Sequence, residues 1–216
     1  MAFRDGRLIP RGAALEVDIC VIGAGAAGLT LALELNNLQT PVAVLESGGF
    51  EAEAATQALY AGTTIGQPYT SLDRCRTRFF GGSTNCWNGF CSRLSAMDFA
   101  QRDWIPQSGW PIGLKEIDPY YARAERVCQL PPQVDETSRS AEADQQPLPF
   151  DSRAVVTKMF HRKPTRFGEV YREEMARSKN VEVLLHSNVV SVETGRTGLE
   201  VERIRVATLA GNEFSV

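Results

Sequence analysis

The first clear hydrophobic pattern is a strand–helix–strand unit. Residues 17–22 are mostly apolar and end at a glycine, which predicts a buried parallel strand. Residues 26–37 carry apolar side chains at helical spacing, and residues 41–45 form a second apolar run that two glycines stop. Because parallel strands need a crossover connection, these runs within about 30 residues predict a βαβ unit.

The flanking and middle parts of the chain are more polar. Residues before Leu15 are expected to form a polar arm, and residues 62–89 are rich in Gly, Ser, Thr and Asn, which favours a loop. Asp118 and Pro119 are typical of a helix start, so a helix is expected over residues 120–127.

Beyond that helix, residues 131–148 are polar and contain proline, which predicts a long surface loop. Residues 167–176 are expected to be helical.

The end of the chain changes to short β patterns. Residues 181–185, 189–192 and 201–207 are such runs, and a Gly-Asn turn leads into residues 214–216. They predict a β-meander. Because an open apolar strand edge invites aggregation, a chain that stops within a strand pattern favours an incomplete domain.

Composition narrows the function classes. The chain has 216 residues, 43% of them hydrophobic, which suits one globular domain with a small insertion. A formal net charge of −3 gives no basic surplus for nucleic acid or an anionic membrane. No apolar run approaches the roughly 20 residues of a membrane span, and no secretory leader pattern opens the sequence.

The cysteines and histidines indicate neither a disulfide scaffold nor a metal site. There are five cysteines and two histidines, with no Cys-x-x-Cys pair and no His-Glu-x-x-His run. Free thiols suit a reducing compartment, so we expect a cytoplasmic protein without a bound metal.

A glycine pattern lies at the junction of the first strand and the helix. Residues 23–28 are Gly-Ala-Gly-Ala-Ala-Gly, the G-x-G-x-x-G spacing. Gly23 permits the tight turn, Gly25 lets a pyrophosphate approach the backbone, and Gly28 allows close packing of helix and strand. The amides at the helix start then point at the anion. A plain βα turn is the alternative.

Glu46 ends the second strand, about 20 residues after the glycines. A carboxylate there can accept hydrogen bonds from both ribose hydroxyls of an adenosine, and its charge would repel a 2′-phosphate. The unit therefore predicts a dinucleotide site that disfavours NADP, but it does not separate FAD from NAD.

A second motif covers residues 76–87, Arg-Thr-Arg-Phe-Phe-Gly-Gly-Ser-Thr-Asn-Cys-Trp. Such a loop offers amides, hydroxyls and cations to a phosphate or to the edge of a flavin. A surface loop with a buried Trp is the alternative.

Together the two motifs resemble the glucose–methanol–choline oxidoreductases, and residues 108–111 and 118–121 are similar to the bacterial sugar-dehydrogenase branch. Residues 186–189 resemble the family's adenine-side strand. The resemblance implies FAD as cofactor. It also implies a set of cofactor-contacting residues, namely Gly23, Gly25, Gly28 and Glu46 for the ADP half, Arg78, Gly81, Gly82, Ser83, Asn85 and Cys86 near the pyrophosphate and isoalloxazine, and Val189 at the adenine.

Two departures from the family pattern matter. Cys86 stands where several relatives carry a histidine linked to the flavin, which leaves either a noncovalent flavin beside a small thiol or a cysteinyl bond. Asn88 stands where this branch has glycine. The family's catalytic histidine pair lies in a carboxy-terminal portion, and neither His161 nor His186 matches it, so we assign no catalytic residue.

The expected fold class is therefore α/β: a Rossmann-like FAD-binding βαβ unit with a β-meander, an inserted, partly helical segment and an incomplete domain. Residues 14–95 and 153–216 are assigned to a discontinuous FAD-binding domain, and residues 96–152 to the inserted start of a substrate domain.

The expected function is the FAD-binding portion of an oxidoreductase acting on CH–OH groups of a small alcohol or sugar. The fragment is expected to lack the catalytic base and to be inactive alone. The motifs do not specify the electron acceptor. A non-catalytic dinucleotide-binding fragment and an NAD-dependent Rossmann dehydrogenase stay open as alternatives.

Overall fold

The computed structural model describes residues 2–36, 38–131 and 160–216, except the side chain of His161. The strands are β1 (Phe3–Asp5), β2 (Ile19–Ile22), β3 (Val42–Leu45), β4 (Phe90–Cys91), β5 (His161–Arg162), β6 (Val181–Leu185), β7 (Asn188–Thr194), β8 (Val201–Ala207) and β9 (Glu213–Ser215). The α-helices are α1 (Ala26–Leu35), α2 (Ala54–Gln57), α3 (Leu72–Cys75), α4 (Ala96–Phe99), α5 (Leu114–Val127), α6 (Phe167–Val170) and α7 (Arg172–Ala176). Short 3-10 helices cover Gly6–Leu8, Ala58–Tyr60 and Gly82–Asn85.

The main sheet is parallel and has the order β1-β6-β3-β2. Strands β2 and β3 pair from Ile19 opposite Val42 to Ile22 opposite Leu45. Helix α1 connects them, which confirms the predicted βαβ unit. Every residue of β3 is buried, because β3 has a strand on each side. The carboxyl ends of β3 and β6 therefore lie next to each other.

Strand β2 is less buried than its apolar pattern predicts. Val21 is its one buried residue, and Ile22 is 54% exposed. Within the described residues β2 pairs with β3 alone, so it forms an edge of the sheet. The expectation of a buried strand was wrong here, since local pattern does not reveal how many neighbours a strand has.

The prediction of a polar amino-terminal arm was also wrong. Strand β1 pairs with β6 in parallel, from Phe3 opposite Val183 to Asp5 opposite Leu185. Ile9 is fully buried in a core cluster with Leu45, Leu184 and other apolar residues. Pairing with a strand about 180 residues away is invisible to a search for local periodicity.

The β-meander is confirmed as the antiparallel sheet β7-β8-β9. Its last strand is not an open edge, contrary to the expectation. Phe214 lies opposite Val206 of β8. On the other side Ser215 forms a parallel bridge to Ala14, and its N–H donates to the Ala13 carbonyl at 2.9 Å.

Two helices differ from the sequence-based bounds. Helix α5 begins at Leu114 and contains Pro119, because the Gly113 N–H is capped by the Glu116 carboxylate at 2.7 Å, one turn ahead of the predicted start. The predicted helix over 167–176 is divided at Tyr171 into α6 and α7.

The chain divides into two compact units, residues 1–87 with 166–216 and residues 88–165. The domain assignment made from the sequence stays a prediction, and the predicted loop over 131–148 lies almost wholly outside the described residues. In the second unit, Gly89 and not Asn88 takes the left-handed conformation, with φ +71°. No helix in the described parts of the chain combines the length and apolarity of a membrane span.

Candidate dinucleotide site

Glu46 follows β3 and turns its carboxylate toward the glycine loop. Its Oε2 accepts the Ala24 N–H at 2.8 Å, and its Oε1 accepts the Gly48 N–H at 3.0 Å. The residue is 5% exposed. Burial raises the pKa of the Glu46 carboxyl, and the N–H groups of Gly48 and Ala24 oppose that rise. Glu46 therefore shapes the loop as well as lying beside it.

The glycine loop has the backbone that its spacing predicts. Gly23 has a left-handed φ of +94°, and its N–H donates to the Leu45 carbonyl at 2.8 Å. Gly25 precedes the first turn of α1 with an ordinary φ of −83°. The amides that open α1 have no acceptor inside the helix, so they can serve an anion.

The three glycines have different neighbours. A Cβ at Gly28 would lie 1.9 Å from the Gly23 carbonyl oxygen, so helix and strand leave no room for a side chain. A Cβ at Gly25 would meet, among the described residues, the Gly82 Cα at 3.9 Å and nothing nearer. The space above Gly25 is therefore not filled by a side chain of the described chain.

The second glycine pair packs against the first loop. Gly81 has φ +97°, and its N–H donates to the Ala24 carbonyl at 2.9 Å. Gly82 begins a 3-10 helix, and a Cβ there would lie 2.8 Å from the Gly25 Cα. The structure thus packs residues 81–82 against residues 23–28, and the contact is made by glycine backbones.

The polar residues after this pair hold the loop's own shape. The Ser83 hydroxyl accepts the Thr77 N–H at 3.4 Å, and the Asn85 side-chain amide donates to the Phe80 carbonyl at 3.0 Å. The exposed Cys86 contacts the Ser83 carbonyl through its sulfur at 3.4 Å. Cys86 is therefore an exposed residue of this loop, with its thiol hydrogen-bonded to a backbone carbonyl of the same loop.

Cys86→Ala is expected to leave flavin binding noncovalent and largely intact, because the thiol supports no buried contact. The measurement is flavin fluorescence on a denaturing gel, together with FAD affinity. If the wild-type protein keeps its flavin fluorescence on the denaturing gel and Cys86→Ala does not, the flavin is bound through a cysteinyl bond instead.

Residues 186–189, which resemble the family's adenine-side strand, lie beside Glu46. The Ser187 N–H donates to the Glu46 carbonyl at 2.8 Å. Val189, in β7, is half-buried and packs against the core cluster that includes Leu45 and Leu184. The residue that follows β3 is therefore hydrogen-bonded to the residue that precedes β7.

Sequence reasoning missed several residues that fasten these loops. Ser47 and Asn188 join β3 to β7 through their side chains. Thr84 accepts the Phe167 N–H at 3.1 Å, and Arg166 donates to the Thr84 carbonyl at 2.6 Å. Ser47 follows Glu46 and Thr84 lies within the second motif, but no local pattern identifies their distant partners.

Comparison with known proteins agrees with this geometry. The family model for FAD-dependent oxidoreductases matches residues 18–215. A 6'''-hydroxyparomomycin C oxidase of Streptomyces lividus is 32% identical over 143 residues, which cover 58% of this chain and 25% of that protein.

Solved structures share the fold at low identity. Pyridoxine 4-oxidase from Mesorbium loti superposes with a TM-score of 0.57 at 19% identity, over 93% of this chain and 48% of that one. A formate oxidase gives a TM-score of 0.55 at 15% identity, over 96% and 44%. The chain thus spans a quarter of its curated relative and less than half of these structures.

The match over residues 18–215 decides between the two cofactors that the glycine motif left open, and the cofactor is FAD. The resemblance to glucose–methanol–choline enzymes is confirmed at the level of this broader FAD-binding group. On its motifs, its fold and that match, the chain belongs to the FAD-dependent oxidoreductase family.

Proposed function

We propose that this chain is the FAD-binding portion of a flavin-dependent oxidoreductase that acts on CH–OH groups of sugars or other alcohols. The observation that carries the proposal is the junction of Gly25 and Gly82 beside the Glu46 carboxylate. The Gly25 and Gly82 backbones meet there, next to the first amides of α1. The Glu46 carboxylate beside them can accept hydrogen bonds from a ribose.

Each motif would hold one part of the cofactor. Gly23, Gly25, Gly28 and Glu46 would contact the ADP half. Gly81, Gly82, Ser83, Asn85 and Cys86 would lie along the pyrophosphate and isoalloxazine, with Val189 at the adenine. The fit is supported by the open space above Gly25 and by the contact of Ser187 with Glu46.

FAD bound here supplies the acceptor for a hydride from an alcohol carbon, and the protein supplies position and electrostatics. Residues 23–28 and 76–87 offer backbone amides, hydroxyls, two guanidinium groups and one thiol, and they contain no histidine. We infer that the base that removes the hydroxyl proton belongs to a part of the enzyme outside this chain.

The substrate class is supported by the relatives' names. One is an oxidase of a hydroxyparomomycin and another an oxidase of pyridoxine. A small hydroxyl-bearing molecule is therefore the proposed substrate, and a cytoplasmic location stays part of the proposal.

The purified chain is expected to bind FAD and to oxidise alcohols very slowly or not at all, since the base is absent. Equilibrium dialysis with FAD and with NADH tests binding, and a sugar or polyol assay with saturating FAD and an artificial acceptor tests turnover. Preference for NADH would contradict the cofactor assignment, and turnover at an ordinary enzyme rate would contradict the missing base.

A further inference from the structure

The Arg78 side chain contacts two neighbours within its own unit. Its Nε donates to the Ser47 hydroxyl at 2.7 Å, and its guanidinium carbon lies 4.8 Å from the centroid of the Tyr60 ring. Its backbone N–H donates to the Gln57 side-chain oxygen at 3.1 Å. The guanidinium therefore combines a hydrogen bond with a stacked contact on an aromatic face.

Ser47 connects Arg78 to β7. Its hydroxyl donates to the Asn188 side-chain oxygen, and the Asn188 amide nitrogen donates to the Ala207 carbonyl of β8 at 3.1 Å. A relay thus runs from Arg78 through Ser47 to Asn188, and its last member precedes Val189.

The backbone around Arg78 adds to this connection. The Phe80 N–H donates to the Gly49 carbonyl at 2.9 Å, and a Cβ at Gly48 would lie 2.3 Å from the Arg78 carbonyl oxygen. Residues 78–80 therefore lie directly against residues 48–49. The positive charge of Arg78 also opposes the rise in the pKa of the Glu46 carboxyl. The guanidinium therefore interacts electrostatically with Glu46.

We propose that Arg78 is a positioning residue for the adenosine end of the cofactor site and not a ligand of the phosphates. Through Ser47 and Asn188 it aligns Glu46 with Val189, the residues proposed to contact the ribose and the adenine. This inference rests on the proposed function, because it assumes that the site holds FAD.

Binding of adenosine, AMP, ADP and FAD to the whole chain tests the assignment. Arg78→Gln is expected to weaken all four ligands by the same factor, about tenfold, since the adenosine moiety is common to them. Thermal unfolding of the variant should stay within about 2 °C of the wild type, which separates a site effect from general loss of structure.

Arg78→Lys gives the second test, because it keeps the charge but lacks the guanidinium geometry. Positioning predicts the same loss as in Arg78→Gln. A loss confined to ADP and FAD, or affinity restored by lysine, would show a phosphate ligand and overturn the inference.

A double-mutant cycle with Ser47→Ala tests the relay itself. If Arg78 acts through Ser47, the FAD affinity of the double variant should be less than about twofold below that of either single variant. Fully additive losses would contradict the relay.

Arg74→Gln is the matched control. Arg74 lies in α3, outside both glycine motifs, and is exposed, so affinity should not change. A wild-type chain that binds no FAD refutes the proposed function and this inference together. Wild-type binding with a phosphate-dependent loss in Arg78→Gln refutes the inference alone.

Discussion

Gly25→Val is expected to lower FAD affinity by at least about 100-fold while the chain stays folded. That factor corresponds to about 2.7 kcal/mol of binding free energy. The cause is steric: a branched Cβ would occupy the space in which the pyrophosphate approaches the amides of α1.

The fold itself has room for a small side chain at this position. Gly25 has a φ of −83°, which any residue adopts, and an added Cβ meets the Gly82 Cα at 3.9 Å, an ordinary contact. Gly25→Ala therefore serves as the milder variant, and it should lose affinity without a change in unfolding temperature.

FAD affinity by fluorescence quenching and thermal unfolding without FAD are the two measurements. Gly62→Ala is a matched control, because no heavy atom of the described residues lies within 4 Å of a Cβ there and the residue is exposed. Unchanged FAD affinity in both Gly25 variants would contradict the assignment of residues 23–28 to the cofactor site.

Gly28→Ala is expected to destabilise the protein, in contrast to Gly25→Ala. Alanine should gain about 1 kcal/mol of helix propensity at this position in α1. The added carbon, however, would lie 1.9 Å from the Gly23 carbonyl oxygen and 3.1 Å from its carbonyl carbon. Backbone atoms cannot turn away as a flexible side chain can, so α1 must move off the end of β2.

Overpacking of this kind costs about 3 kcal/mol, which outweighs the gain in propensity. The net loss of about 2 kcal/mol should lower the unfolding temperature of a chain of this size by roughly 4–8 °C. The unfolding temperatures of Gly28→Ala and Gly62→Ala, both measured without FAD, give this difference. A variant as stable as the wild type would show that α1 does not pack against Gly23 as described.

The sequence was most informative where chemistry and spacing are local. The run of glycines at 23–28, the acid at Glu46 and the apolar stretches around them predicted the βαβ unit, because each requirement falls within about 30 residues. The meander was also predictable, since its strands are consecutive and separated by turns.

The sequence was least informative where burial depends on distant neighbours. The first residues look polar and short, yet β1 pairs with β6 and Ile9 enters the core. Arg78 looks like a cation for phosphate, whereas its contacts are the Ser47 hydroxyl and the Tyr60 ring. Neither partner can be identified from the residues beside it.

The sequence by itself determined that a phosphate-tolerant turn follows an apolar strand and that an acid ends the next strand. Only the tertiary structure decided that Gly82 meets Gly25, that Glu46 binds the Ala24 amide, and that Asn188 accepts the Ser47 hydroxyl. The physical reason is that conformational preference acts over a few residues, while packing and hydrogen bonding join segments up to about 200 residues apart in the chain.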